Sequence, residues 1–302
     1  MSILKKNLPF LLIVFGVCGF AVKSIFIKIS FEQGLSPAQL MGLRMLFSIP
    51  FFIAAWIFDS FLSKDKASSF NLKGIVLCAC LYFFSSQADI SGLKIVSVGM
   101  ERTLLFTIPL FVLLLSAIIL KKKYHYGIYF AAVFSWIGVI IAFFGEQSTQ
   151  AGISTFKQIE GVGLVLLSAI LYAAYYIYSA EDIKRTGFIS FNSQVMILSS
   201  IFALISLVAN GEIKETFDLQ YKHLEMPFYL AVVSTVLPSF FMLYGVKICG
   251  ATFVSFCNNA SPFFTMLVGY IAINERFTLQ GVIGLVFVMA SIFYAQKYKE
   301  KK

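Results

Sequence analysis

Lys23, Arg44, Asp89, Glu101 and Arg102 all stand inside stretches that are otherwise apolar. A charge in such surroundings costs at least about 2.5–3.5 kcal/mol unless it is paired or hydrated, so residues of this kind face a water-filled cavity or one another. Three cations and two anions leave one positive charge over. A surplus cation is suited to an anionic group on a ligand, which Arg holds bidentately and Lys as a point charge. Arg44 is the first candidate to bind a carboxylate or phosphate, and Lys23 the second. The same five residues have an internal alternative: Arg44 paired with Asp89, Arg102 with its neighbours, and Lys23 snorkelling outward. Asp89, Glu101 and Arg102 are therefore ion-pair or coupling candidates. Glu101 and Arg102 are adjacent and point about 100° apart on a helix, so one of them is expected to pair with another helix.

The second half of the chain offers uncharged groups instead. Tyr172, Tyr175 and Tyr176 are spaced to share one broad face of a helix. Asn258, Asn259 and Ser261 precede Pro262, and Ser234, Thr235, Ser239 and Gln194 lie in neighbouring apolar runs. An amphipathic ligand would stack on the tyrosines and hydrogen-bond to Asn258 or Asn259. Gln87, with Ser85 and Ser86, is a similar candidate in the first half. Each of these groups also has a packing role open to it, since aromatic stripes fill cores and intramembrane Ser and Asn join helices. Pro109 and Pro262 each remove a helical hydrogen bond, and the kinks expected there would let a gate bend.

Other chemistries lack their parts. The five cysteines all fall in apolar runs and read as inert thiols, while His125 and His223 both lie between those runs. No metal site, no cofactor and no catalytic constellation is expected. There is also no P-loop to bind a nucleotide as an energy source.

The elements that position these groups follow from composition. The chain of 302 residues is 59% hydrophobic and only 13% charged, with a mean hydropathy of +0.85. Soluble domains carry about 25% charged residues. Spanning about 30 Å of hydrocarbon takes roughly 20 residues at 1.5 Å each. Ten apolar runs qualify, at about 8–29, 37–58, 72–93, 97–120, 126–145, 161–180, 190–209, 227–248, 251–273 and 278–296. The first is too long for a signal-peptide core. By helix rise, the five charges lie roughly 6–10 Å below one surface. The segment 210–226 reads as a solvated loop.

Gly34, Lys94 and Pro109 recur as Gly187, Lys247 and Pro262, at one constant offset of 153 residues. The chain is expected to be two copies of one unit, residues 1–146 and 147–302. Five helices per copy is an odd number, so the second copy enters from the opposite face and the repeats are inverted. With both termini placed in the cytoplasm, 15 Lys and Arg fall inside and six outside, the positive-inside pattern. The net charge of +9 is thus explained by topology, without nucleic acid. The expected location is the plasma (inner) membrane, as a multi-pass monomer or homodimer. Gly281 and Gly284 are close-packing points, at a dimer seam if one exists.

Residues 230–295 bring Thr235-Val236-Leu237, Lys247-Ile248-Cys249-Gly250-Ala251, Pro262, Glu275-Arg276 and Gly284 into one order. That order resembles the second repeat of the drug/metabolite transporter superfamily, and within it the ten-helix EamA-like exporters. Lys28, Gly34-Leu35-Ser36-Pro37, Arg44 and Gly99-Met100-Glu101-Arg102 running to Pro109 resemble its first repeat. Lys122 stands where that family usually places glutamate. The resemblance implies a secondary transporter, not an enzyme, exporting amino acids or related metabolites. The surplus cation favours a substrate bearing a carboxylate, with nucleotide-like or phosphorylated metabolites as the alternative. A non-transporting receptor or scaffold is the other class, but it has no need of a charged belt within a duplicated bundle. A site between the copies would have one charged wall and one aromatic, hydrogen-bonding wall.

Overall fold

A computed structural model describes residues 2–62, 71–121, 123, 125–147, 154–241, 261–274 and 276–299. The described chain is helical throughout, as expected of an all-α membrane protein: in lipid each backbone N–H and C=O must find its partner within the segment. The helices are α1 (Ser2–Glu32), α2 (Pro37–Leu62), α3 (Leu72–Leu93), α4 (Val98–Leu105), α5 (Ile108–Ile119) and α6 (Tyr126–Gln147). They continue with α7 (Thr155–Thr186), α8 (Phe188–Ala209), the short α9 (Ile213–Phe217), α10 (Tyr221–Ala231), α11 (Ser261–Ile273) and α12 (Leu279–Lys299). A π-helical turn, Val232–Val236, prolongs α10. Eight of the described segments are long and apolar enough to cross a membrane, and Phe264–Ile273 and Leu279–Tyr294 are shorter apolar helices.

Several boundaries move outward from the apolar runs. The helix of α1 continues to Glu32, α7 begins at Thr155, and residues 210–226 hold α9 and the start of α10. Hydropathy ends a segment at its first charges, whereas a helix continues into water, where Lys157 and Glu160 are solvated on the first turns of α7. The largest difference lies at Pro109. The expected kinked helix is a broken one: α4 stops at Leu105, Phe106 and Thr107 form a turn, and Pro109 sits in the first turn of α5. Proline suits that position because its missing N–H has no helical partner there to lose. The Leu105 carbonyl, four residues earlier, consequently has no helical N–H to accept from.

The duplication is written in the backbone. Gly34 and Gly187 have φ of 90° and 84°, the left-handed region that glycine reaches without strain. Lys121 and Asn274, also 153 residues apart, share a φ of 51°. Helices α6 and α12 begin at Tyr126 and Leu279, again at that offset, and Pro109 and Pro262 each stand within a helix at matching positions.

Two compact units are present, each taking segments from both halves of the sequence: residues 1–83 with 181–273, and residues 84–180 with 274–302. In the first unit, α2 packs along α8, its own counterpart at the 153 offset. Gly42 approaches Leu207, and the Ser200 hydroxyl donates to the Met45 carbonyl at 3.5 Å, so residue numbers rise on one helix as they fall on the other. In the second unit, α6 packs along its counterpart α12 in the same antiparallel sense. Gly145 meets Thr278, Gly138 meets Gly284, and Phe130 meets Tyr294. Phe134 stacks on Phe287, its counterpart, with centroids 5.1 Å apart and planes 17° apart. A helix lying antiparallel to its own repeat is what inverted copies require; repeats related by an axis along the membrane normal would run parallel. Gly284 is therefore engaged within the chain, where a Cβ would lie 2.4 Å from the Gly138 carbonyl oxygen.

Candidate functional site

In the first unit, Arg44 is carried by α2 and Lys23 by α1. Arg44 is 1% exposed, among the largest fully buried side chains of the protein. Its Nη2 donates to the Met41 thioether at 3.0 Å, and its Nε finds no acceptor among the described residues. Sulfur is a weak acceptor, so the guanidinium retains strong donor capacity where water is scarce. The backbone below is secured by Ser48, whose hydroxyl donates to the Arg44 carbonyl at 2.8 Å.

The π turn borders the same helices, packing on both α1 and α2. Gly19 allows the close approach: a Cβ there would lie 2.5 Å from the Val233 carbonyl oxygen and 2.6 Å from Pro238 Cγ. Lys23, one turn further along α1, is on that same face. Widening α10 to π geometry leaves Thr235 donating to the carbonyl of Leu230, five residues back, at 3.0 Å. Ser234 is buried, and its hydroxyl has no partner among the described residues. Single π turns of this kind recur at functional sites. Gln194 on α8 donates to Ser190 at 3.2 Å, while its Oε1 is buried without a donor among the described residues. Unit one thus assembles a buried cation, a half-buried lysine and several underused neutral polar groups.

The second unit holds the remaining charges. Glu101 and Arg102 on α4 and Asp89 on α3 are all buried. Arg102 Nε lies 3.1 Å from Glu101 Oε2, so the two neighbours reach each other. Their side chains are long enough to close the 100° between their Cα–Cβ directions. Ser97 caps α4, accepting from the Met100 N–H at 3.1 Å, and fixes this charged turn in place. Gln87 on α3 has a buried Oε1 with no donor among the described residues. On α7 the three tyrosines form one cluster: Tyr172 lies 4.8 Å from Tyr176 and 5.5 Å from Tyr175, centroid to centroid. Tyr175 is buried, but Tyr176 is 48% exposed and presents a ring outward.

The structure therefore gathers Lys23 and Arg44 in one unit, and Asp89, Glu101, Arg102, Gln87, Tyr172 and Tyr176 in the other. Asn258 and Asn259 lie outside the described residues, and Pro262 lies within α11. Among the described residues, no group of three His, Cys, Asp or Glu could hold a metal ion.

The EamA-like transporter family matches this chain twice, over residues 7–144 and again over 159–295, two matches that start 152 residues apart. The chain belongs to that family. Among its relatives, the uncharacterized transporter YcbK of Bacillus subtilis is 29% identical over 97% of this chain and 94% of that protein. An uncharacterized transporter of Archaeoglobus fulgidus is 25% identical over 86% of this chain and 88% of its own length. A solved crystal structure shares the fold at a TM-score of 0.63 and 12% identity, covering 97% of this chain and 98% of that one. Membership makes the protein a polytopic membrane transporter and points away from an enzyme.

Sequence reasoning missed two polar junctions. Asp182 near the end of α7 is buried and accepts from Asn71 at 2.9 Å, and Glu212 accepts from the Ser36 hydroxyl. Both acids sit in charged stretches that hydropathy assigns to solvent. A local signal existed for each: Ser36 and Gln39 have the spacing of a capping box, and Asn71 precedes Gly74 as a helix cap.

Proposed function

We propose that this protein is a secondary transporter that exports a small amphipathic metabolite bearing a carboxylate, an amino acid or a related compound, across the plasma membrane by alternating access. The observation that carries the reading is Arg44. A guanidinium 1% exposed within a membrane span, with a thioether as its hydrogen-bonding neighbour and a free Nε among the described residues, is a poor structural element and a good anion receptor. Lys23 adds a second positive charge, and the Ser234 hydroxyl is available to a polar group of the substrate. In the second unit, Tyr176 offers an aromatic face, and Asp89 with the Glu101–Arg102 pair serves coupling or structure. The break before Pro109 is a hinge candidate, because a turn bends more readily than a helix. Both termini are assigned to the cytoplasm on the distribution of Lys and Arg, and the protein acts as a monomer or homodimer.

The test is transport by purified protein in proteoliposomes, against an unbiased panel of metabolites with and without carboxylates. Counterflow of carboxylate-bearing compounds that Arg44→Ala abolishes, with normal insertion, is the expected result. Movement of no compound on the panel removes the transport reading; wild-type rates for Arg44→Ala remove the role of Arg44.

A further inference from the structure

The first unit contains a polar junction that no substrate contact requires. Asn71 immediately precedes α3, and its Oδ1 accepts from the Gly74 N–H at 3.2 Å, capping the helix. Its Nδ2 meanwhile donates to Asp182 Oδ1 at 2.9 Å. Asp182 lies near the end of α7, only 5% exposed, with its own turn secured by Thr186, whose hydroxyl donates to the Asp182 carbonyl at 2.9 Å. Oδ2 of Asp182 occupies the space over Gly74: a Cβ there would come within 2.1 Å of it. The carboxylate thus fills the first turn of α3, where unsatisfied N–H groups and the helix dipole favour an anion. The two helices it joins are 111 residues apart in sequence at this point.

Both helices belong to two units. The first unit holds α3 up to Phe83 and α7 from Glu181 on, so only a few residues at the end of α7 are fastened there, and Asp182 is the second of them. The tie also has no twin. At the 153 offset, Asn71, Gly74 and Asp182 correspond to Leu224, Pro227 and Ile29, which can make no such hydrogen bond. In a protein of two inverted copies, an interaction present in one copy alone separates two states that the fold would otherwise leave nearly equal.

We propose that the Asn71–Asp182 junction is a latch: it holds the ends of α3 and α7 together, and access at that end of the first unit requires it to break. The consequence for transport rests on the transport reading above, but the latch itself does not. A reporter is already in place. Cys78 is fully buried, one turn beyond Gly74 on the same side of α3 and within electrostatic reach of Asp182.

The experiment uses full-length protein in liposomes with Cys18, Cys80, Cys249 and Cys257 replaced by Ser. The labelling rate of Cys78 with N-ethylmaleimide, which crosses membranes, is then measured. Asn71→Asp sets two carboxylates against each other while keeping a helix cap, and should raise the rate about 10–100-fold, the worth of a hydrogen bond to a charged group. Adding Asp182→Asn restores an amide–carboxylate pair in reverse and should return the rate to within about twofold of the parent. Asn71→Ala, which removes the amide donor and leaves the Asp182 carboxylate beside Cys78 unchanged, should raise the rate in the same direction and serves if Asn71→Asp inserts poorly. Parental labelling in both Asn71→Asp and Asn71→Ala, or fast labelling that the double variant leaves unchanged, overturns the latch. Because no substrate enters the assay, such a failure is separable from a failure of the transport reading.

Discussion

Replacing Arg44 by Met separates the two roles this residue can have, because they predict opposite changes in stability. In the structure the guanidinium makes a hydrogen bond to the Met41 thioether and none from Nε among the described residues. Losing the thioether bond costs about 0.5–1.5 kcal/mol. Removing a cation from within the span returns at least about 2.5–3.5 kcal/mol. With Met filling a similar volume, the variant should be about 1–3 kcal/mol more stable than wild type in the absence of substrate. A guanidinium engaged in a complete internal ion pair would behave in the opposite way, since its buried partner would be stranded at about 3–5 kcal/mol. Thermal unfolding of both proteins in the same detergent, followed by intrinsic fluorescence, resolves a gap of that size. Binding supplies the second half of the test. Two charge-assisted hydrogen bonds to a substrate carboxylate, at about 1.5–3 kcal/mol each, correspond to a loss of roughly 10²–10⁴ in affinity. A variant that is destabilised by 3 kcal/mol yet transports normally per folded molecule would refute the reasoning at both steps.

Three further perturbations probe the frame around the site. Gly284→Leu should destabilise the protein by about 1–3 kcal/mol or more through overpacking, because even a Cβ would press on the Gly138 carbonyl, while Gly163→Ala, which meets nothing within 4 Å, should be neutral or slightly stabilising in the same thermal assay. Ser36→Ala removes a hydroxyl that donates to Glu212 and accepts from the Gln39 N–H at 3.0 Å, and should cost about 1–2 kcal/mol; Ser36→Thr should recover most of it. Pro109→Ala returns an N–H to the Leu105 carbonyl and removes a helix breaker; hydrogen exchange at residues 106–110 should slow, and transport with it if the break serves as a hinge.

The fold was legible because membrane and repeat each impose a strong periodic rule. Runs of about 20 apolar residues announce spans whatever packs beside them, and Gly34 with Gly187 marked the offset because a positive φ leaves little choice of residue. Local backbone choices were less visible. Nothing in Val98–Leu105 distinguishes a helix about to break from one about to bend, and the π turn at Val232–Val236 depends on the close packing that Gly19 permits on another helix. The charged candidates were found by burial cost alone, a rule that detects Arg44 without locating its neighbours. Asp182 escaped for the converse reason: with Glu181, Lys184 and Arg185 around it, it has the composition of a solvated helix end, and only the tertiary contact with Asn71 shows that it is buried.

The repeat also shows where chemistry departs from architecture. At the 153 offset, Lys23 corresponds to Tyr176, Arg44 to Ile197, Gln87 to Phe240, Asp89 to Met242, Glu101 to Val254 and Arg102 to Ser255. In the other direction, Tyr172 corresponds to Gly19, and Asn258 and Asn259 to Leu105 and Phe106. Turn geometry, helix starts and the antiparallel α2–α8 and α6–α12 pairs keep the symmetry, while each intramembrane charge breaks it. A tie that only holds helices together can be confined to one copy, as Asn71–Asp182 is, but Arg44 is buried with its Nε lacking an acceptor among the described residues. The confinement of these charges to one copy fits a ligand that is itself asymmetric, with one anionic end. A metabolite with a carboxylate at one end and an apolar body at the other has that form, and it needs the cations of the first copy more than a second set of them.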